Sequence, residues 1–102
     1  MNEWSLDELS SFFTNQNSGL IYFYTPLCGT CQVAARMLQG IEHLVDVTIG
    51  KINVNYSSAI AKELAIESVP CLLLIKDGKV METIYAFHSV PYLLDKINET
   101  IT

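Results

Sequence analysis

Two cysteines separated by two residues are the part of this sequence best suited to chemistry. Cys28 and Cys31 flank the dipeptide Gly29-Thr30, and a disulfide closing so small a loop would remove little conformational entropy from the unfolded chain. The spacing therefore suits a reversible redox pair better than a structural cross-link. The pair follows a predicted strand and opens a predicted long helix, where unpaired N–H groups and the helix dipole favour a thiolate over a thiol.

This placement predicts a role for each sulfur. Cys28 stands at the start of the helix, so we expect it to be the exposed nucleophile that attacks a disulfide. Cys31 lies one turn inside the helix and is expected to resolve the mixed disulfide that results. Gly29 and Thr30 form the active-site turn between the two cysteines.

A zinc site is the alternative use of such a pair. Structural zinc takes four ligands, and only Cys71, His43 or His88 is available to complete the set. We therefore favour redox use and expect neither a metal nor another bound cofactor. Cys71 has two interpretations of its own. It is either a small apolar residue in a buried strand or a third thiol close enough to the pair to take part in its chemistry.

The elements that position the cysteines follow from hydrophobic periodicity and local helix signals. Ser5 and Glu8 have the spacing of a capping box, and the helix they open should run to about Thr14. An unbroken apolar run at residues 20–24 predicts a strand covered on both faces. Apolar residues then recur at helical spacing over residues 28–44, which predicts the longest helix.

The second half of the chain continues the alternation of strands and helices. Asp77-Gly78 is typical of a two-residue hairpin turn, so the last two strands should be antiparallel, whereas the earlier strands should pair in parallel through helical crossovers. The remaining predicted elements are a strand at 47–54, a helix capped by Ser57 or Ser58, strands at 71–75 and 79–87, and a helix capped by Ser89 with Pro91 in its first turn.

These elements predict one α/β domain over residues 1–102, with a central four-stranded mixed sheet flanked by helices on both faces.

Six basic side chains stand against eleven acidic ones, for a formal charge of -5, and no basic cluster is present to neutralise a row of phosphates. No nucleic-acid partner is expected. The run at residues 20–24 is too short to span a bilayer, and no secretory signal is recognised, so we expect a cytoplasmic protein that does not associate with membranes.

Two motifs give the chain a family resemblance. The segment Tyr24-Thr25-Pro26-Leu27-Cys28-Gly29-Thr30-Cys31, followed by Val69-Pro70 and Asp77-Gly78, resembles thioredoxin over nearly the whole chain. The resemblance implies a thioredoxin-like fold in which Pro70 is cis and lies against the two cysteines. It also implies that Pro26, Leu27, Val69 and Pro70 face the substrate, with the Val69 backbone pairing with an extended substrate segment.

The chain departs from that family close to the expected site. Leu27 stands in place of a tryptophan, Thr30 in place of a proline, and Tyr22 in place of a buried aspartate thought to assist the resolving thiol. A phenol, with a pKa of about 10, is a poor base at neutral pH. Lys51 matches the lysine that faces that aspartate, so its ammonium should lie either near Cys31 or in solvent. The first helix is predicted so early in the chain that the family's extra leading strand is not expected.

The cysteine pair and the resemblance together predict a cytoplasmic thiol–disulfide oxidoreductase that reduces protein disulfides. Its electrons would come from a separate reductase or a low-molecular-weight thiol, with no bound cofactor. An oxidant or isomerase is a second enzymatic interpretation, which the expected compartment disfavours. Tyr22, Leu27 and Ala86, which replaces a groove glycine of the family, leave open a thioredoxin-fold binding module with weak or no turnover. A zinc or iron–sulfur thiolate protein is the remaining alternative.

Overall fold

Five strands and four α-helices form the part of the chain that the computed structural model describes, residues 1–101. The strands are β1 (Asn2–Glu3), β2 (Gly19–Tyr24), β3 (Ile49–Asn53), β4 (Cys71–Lys76) and β5 (Lys79–Ile84). The helices are α1 (Leu6–Thr14), α2 (Gly29–Leu44), α3 (Ser58–Glu63) and α4 (Val90–Thr100), with a short 3-10 helix at Val54–Tyr56. None of the helices within residues 1–101 has the length and apolar character needed to cross a membrane.

The strands form one mixed sheet in the order β1-β3-β2-β4-β5. β3 runs parallel to both β1 and β2, whereas β4 is antiparallel to both β2 and β5. The predicted parallel pairing of β2 with β3 and the predicted antiparallel hairpin of β4 and β5 are confirmed. The antiparallel pairing of β4 with β2 was not predicted, because β4 follows α3 and the alternation of helices and strands favoured a parallel crossover. Because β2 and β3 are parallel, the loops that leave their carboxyl ends emerge at the same end of the sheet. One of these loops carries Cys28.

The predicted number of strands was wrong, because β1 adds a fifth strand at the sheet edge. Asn2 pairs with Gly50 and Glu3 with Lys51, and the Trp4 N–H continues the ladder to the Lys51 carbonyl at 2.9 Å. A two-residue strand shows no periodicity in the sequence, so only its pairing with β3 reveals it. Gly50 makes this close approach possible, since a Cβ there would lie 2.1 Å from the Trp4 ring.

Local capping signals set the helix starts as predicted in two cases. At α1 the Glu8 N–H donates to the Ser5 hydroxyl and the Ser5 N–H donates to the Glu8 carboxylate, each at 3.1 Å. At α4 the Tyr92 N–H donates to the Ser89 hydroxyl at 3.2 Å. Ser57 is the N-cap residue of α3, but its side chain makes no capping hydrogen bond.

The sheet divides the core into two layers, because successive side chains of a strand point to opposite faces. On the face covered by α2 and α4, Leu20 and Tyr22 of β2 pack with residues such as Leu38 and Leu93. On the other face Ile21, Phe23 and Cys71 pack with Leu9 and Phe12 of α1. Tyr22 is thereby directed toward the helix that carries the cysteine pair, and Cys71 is directed away from it.

Two strand ends differ from the predicted limits by more than one residue. β3 begins at Ile49 rather than at residue 47, and β5 ends at Ile84 rather than at residue 87. The early end of β5 leaves residues 85–88 as an irregular segment before α4. His88, directly after the predicted end of the strand, has a positive φ of 55°, a backbone conformation that lies outside the extended region.

Gly50→Ala should destabilise the protein by about 1 to 3 kcal/mol, because the added methyl group overlaps the Trp4 ring and forces β1 off the sheet. Gly40→Ala is the matched control. Its Cβ would meet no atom within 4 Å inside α2, so it should stabilise the helix by about 0.5 to 1 kcal/mol. Urea unfolding measures both changes. If both substitutions changed the free energy of unfolding equally and with the same sign, the close contact between Gly50 and Trp4 would not be what holds β1 on the sheet.

Candidate active site

A tight turn carries the chain from β2 to α2 and presents the first cysteine. The Cys28 N–H donates to the Thr25 carbonyl at 3.4 Å, with Pro26 at the second position of the turn, where its fixed φ is favourable. Leu27, at the third position, is 99% exposed. The turn therefore places an apolar side chain in solvent directly beside Cys28.

Cys28 is the N-cap residue of α2. Its sulfur accepts a hydrogen bond from the Cys31 N–H at 3.1 Å, which satisfies one of the N–H groups left unpaired at a helix start. The sulfur also lies 3.3 Å from the Thr30 hydroxyl, which donates to it when Cys28 is ionised. Both contacts are stronger for a thiolate than for a thiol, because charged acceptors form stronger hydrogen bonds.

The two thiols of the pair have pKa values shifted in opposite directions. A hydrogen bond from the Cys31 thiol, followed by one from the Thr30 hydroxyl, holds the pKa of Cys28 below its usual value. Burial raises the pKa of Cys31, which is 2% exposed. As the pH rises, the thiolate therefore forms first on the more exposed sulfur, the arrangement that the predicted roles require.

The Tyr22 hydroxyl contacts the buried member of the pair. It donates a hydrogen bond to the Cys31 backbone carbonyl at 2.6 Å. Burial is the main cause that raises the pKa of Tyr22 well above its usual range. The phenol stays protonated at every pH at which the protein would work, so it is a hydrogen-bond donor and not a base for Cys31.

The Lys51 ammonium is placed beside a tyrosine ring, whereas the expectation was a position near Cys31 or in solvent. Lys51 lies opposite Tyr22 in the register of β2 and β3, but its ammonium lies 5.5 Å from the centre of the Tyr24 ring. The Tyr24 hydroxyl donates in turn to the Glu3 carboxylate. Lys51 and Glu3 thus both interact with Tyr24, Lys51 through the aromatic ring and Glu3 through the hydroxyl.

Cys71 is separated from the pair by the sheet. It is fully buried on the face that α1 covers, and burial raises the pKa of its thiol to about 12. Of its two interpretations, the structure matches the small apolar residue.

His43, one of the other residues considered for a metal site, is exposed near the end of α2. Within residues 1–101 no three His, Cys, Asp or Glu side chains are grouped in a way that would hold a metal ion.

A cleft of about 430 Å³ lies next to the active-site turn. The Val69–Pro70 peptide bond is cis, and Pro70 lines this cleft together with Thr30. Val69 is half-buried, whereas Pro26 and Leu27 lie on the turn itself. The other lining residues are Val33, Ala34, Met37, Tyr85, Ala86, Phe87 and His88.

Sequence reasoning missed Tyr85 as a residue of the site. Its hydroxyl accepts a hydrogen bond from the Glu67 N–H at 3.1 Å, which ties the loop before Pro70 to the segment after β5. Its ring lines the cleft and also packs against the core layer on the face of the sheet that α1 covers. An aromatic residue in an apolar run carries no local signal for such a bond, because the partner lies 18 residues away.

Comparison with known proteins decides the family. The family model described as thioredoxin matches residues 4–99. The chain belongs to the thioredoxin family. Members of this family are in general disulfide oxidoreductases that act with a reductase partner.

The similar proteins of known sequence include two from Bacillus subtilis. The chain is 56% identical to the thioredoxin-like protein YusE over 81 residues, which are 78% of this chain and 76% of YusE. It is 30% identical to a B. subtilis thioredoxin over 95 residues, which are 91% of each protein. These identities support a thioredoxin-like redox protein.

Solved structures of thioredoxins have the same fold. A single-residue mutant of the Halobacterium salinarum thioredoxin superposes with a TM-score of 0.88 at 24% identity, covering 100% of this chain and 90% of that one. Reduced Schistosoma mansoni thioredoxin superposes with a TM-score of 0.83 at 21% identity, covering 98% and 97%. These superpositions confirm the predicted thioredoxin-like fold of this family member.

Cys28 should be the first thiol to react with iodoacetamide at neutral pH. It combines partial exposure with a lowered pKa, whereas Cys31 and Cys71 are buried and have raised pKa values. Its alkylation rate should fall as the pH drops through that lowered pKa, because the thiolate is the reacting form. Peptide mass mapping identifies the labelled residue. Labelling of Cys31 or Cys71 first would contradict the assignment.

Thr30→Val should slow Cys28 alkylation at pH 7 by about fivefold, which corresponds to the loss of about 1 kcal/mol of thiolate stabilisation. The reduced form loses this contact, so the reduction potential should fall as well. Thr30→Ser keeps the hydroxyl and is the matched control. Equilibration with glutathione measures the potential, and an unchanged or raised value in Thr30→Val would disprove the role of the hydroxyl.

Proposed function

We propose that this protein reduces disulfide bonds in other proteins, with Cys28 as the nucleophile and Cys31 as the resolving thiol. The observation that carries the proposal is the Cys28 sulfur. It caps α2, has a lowered pKa, and stands on an exposed turn, while Cys31 lies buried behind it. This difference in exposure gives the two sulfurs different tasks.

The reaction is a pair of thiol–disulfide exchanges. The Cys28 thiolate attacks one sulfur of the substrate disulfide, a Cys28–substrate disulfide forms, and the other substrate sulfur leaves as a thiolate. Cys31 then loses its proton and attacks the Cys28 sulfur. The Cys28–Cys31 disulfide forms, the second substrate sulfur leaves, and the substrate has gained two electrons that the cysteine pair has lost.

Leu27 and the cleft beside Pro70 are the proposed docking surface for the substrate. Leu27 offers an exposed apolar contact beside the reacting sulfur. The cleft offers a mainly apolar trough lined by Pro70 and Thr30 and narrowed by the Ala86 methyl group. Pro26 and Val69 complete the surface that we assign to an extended segment of the substrate protein.

Electrons must return to the pair after each cycle. A separate reductase or a low-molecular-weight thiol would supply them by a further exchange at Cys28, and this scheme needs no bound cofactor or metal. The expected cytoplasmic location suits this direction, because that compartment keeps thiols reduced. Neither a nucleic acid nor a membrane takes part in the proposed reaction.

Cys28→Ser should abolish disulfide reduction, and Cys31→Ser should accumulate a mixed disulfide with the substrate. Serine remains a good N-cap residue, so the first variant should keep α2 intact. Insulin reduction with dithiothreitol as the electron donor measures turnover, and non-reducing electrophoresis detects the trapped species. A folded wild-type protein that binds a disulfide substrate but does not reduce insulin would favour the binding-module alternative.

A further inference from the structure

A line of side chains connects the resolving cysteine to the first strand. We propose that Tyr24 and Glu3 are positioning residues for Cys31, because they hold the ring of Tyr22 in the place from which its hydroxyl contacts Cys31. This inference rests on the function proposed above, in which Cys31 is the resolving thiol. It assigns a task to β1, the strand that the sequence did not predict.

Tyr22 forms the inner end of this line. Its side chain is 1% exposed, its hydroxyl lies 2.6 Å from the Cys31 carbonyl oxygen, and its ring packs edge-on against Phe87 at 6.1 Å between centroids. A phenol hydroxyl has one hydrogen and rotates about its C–O bond. The Tyr22 side chain also hydrogen-bonds the Cys31 thiol, so the hydroxyl that donates to the Cys31 carbonyl can turn to the sulfur when that sulfur ionises.

Tyr24 forms the middle of the line. Its ring is nearly parallel to that of Tyr22, with an angle of 9° and 5.7 Å between centroids. Burial raises the pKa of Tyr24 to about 12, so its hydroxyl remains a donor at neutral pH. Because the two rings are stacked, a change in the tilt of Tyr24 changes the space that Tyr22 occupies.

Glu3 forms the outer end and fixes Tyr24. One carboxylate oxygen accepts from the Tyr24 hydroxyl, and the other accepts from the Asn53 N–H at 3.2 Å. The acid is thus held by the backbone of β3 as well as by its own pairing in β1. Lys51 adds an ammonium 5.5 Å from the Tyr24 ring centre, so the ring is restrained at its hydroxyl and beside its π system.

The position of Tyr22 matters because Cys31 must release a proton before it can attack. The ionisable groups around this step are Cys28, Tyr22, Tyr24, Lys51 and Glu3. Burial raises the pKa of Cys31, whereas the Tyr22 hydroxyl acts to lower it. A hydroxyl displaced from the sulfur would lose that effect, since hydrogen bonds weaken steeply with distance and angle. Tyr24 and Glu3 touch neither sulfur and act through Tyr22.

The experiment measures the titration of Cys31 alone. In a Cys28→Ser background, the ¹³Cβ chemical shift of Cys31 is followed against pH for the wild-type sequence and for Tyr22→Phe, Tyr24→Phe and Glu3→Gln. Tyr56→Phe and Glu63→Gln are the matched controls, because Tyr56 is 85% exposed and Glu63 is exposed on α3. Urea unfolding of each variant shows whether a shift accompanies a loss of stability.

Tyr22→Phe should lower the Cys31 thiolate fraction at pH 8 about fivefold, the effect of one lost hydrogen bond. Tyr24→Phe and Glu3→Gln should each lower it about twofold, and the controls should leave it unchanged. The decisive variant is the pair Tyr22→Phe with Tyr24→Phe. It should titrate like Tyr22→Phe alone, because a residue that acts through the Tyr22 hydroxyl has no effect once that hydroxyl is gone.

The titration separates this inference from the proposed function, because it needs no turnover. A protein that reduced no disulfide would contradict the proposed function and leave the titration result standing. An unmoved Cys31 titration in Tyr24→Phe would overturn the inference even if turnover were normal. Additive effects of Tyr22→Phe and Tyr24→Phe would also overturn it, since Tyr24 would then act by another route.

Discussion

The Cys28 sulfur has a structural task and a chemical task at the same time. It accepts the Cys31 N–H at the start of α2, the position at which a Ser, Thr, Asn or Asp oxygen stabilises a helix by about 0.5 to 2 kcal/mol. A thiolate performs this task better than a sulfur bound in a disulfide, because its charge strengthens the hydrogen bond. The order of the first turn of α2 and the redox state of the cysteine pair are therefore linked, because the hydrogen bond that orders this turn also favours the Cys28 thiolate.

The remaining elements place this sulfur and shield its partner. β2 and the turn after Tyr24 deliver Cys28 to the end of the sheet, and α2, which carries the buried Cys31, covers the layer in which Tyr22 lies. The sheet itself keeps Cys71 in the opposite layer. Three chemically identical side chains thus acquire three different environments from strand alternation and helix packing alone. Burial distinguishes them most, because removing a thiolate from water raises the pKa of its thiol.

Local signals made much of this arrangement predictable from the sequence. The Ser5–Glu8 capping box, the Cys28–Cys31 spacing and the Asp77-Gly78 turn each act within a few residues, and the structure contains the helix starts and the hairpin they predict. β1 was missed because its two residues gain their conformation from Gly50 and Lys51, about 48 positions away. The ammonium of Lys51 and the hydroxyl of Tyr85 were placed by contacts across the sheet or between loops, which periodicity does not encode.

The unequal burial of the three thiols has a practical consequence for spectroscopy. A maleimide fluorophore would attach at Cys28 without removal of the other two cysteines, because Cys31 and Cys71 are shielded from solvent. The dye would then stand between the exposed side chain of Leu27 and the cleft beside Pro70, where its emission would respond to the polarity of whatever covers that surface. The wild-type chain is in this sense already a single-site biosensor scaffold, with its reporter position chosen by the packing of the sheet.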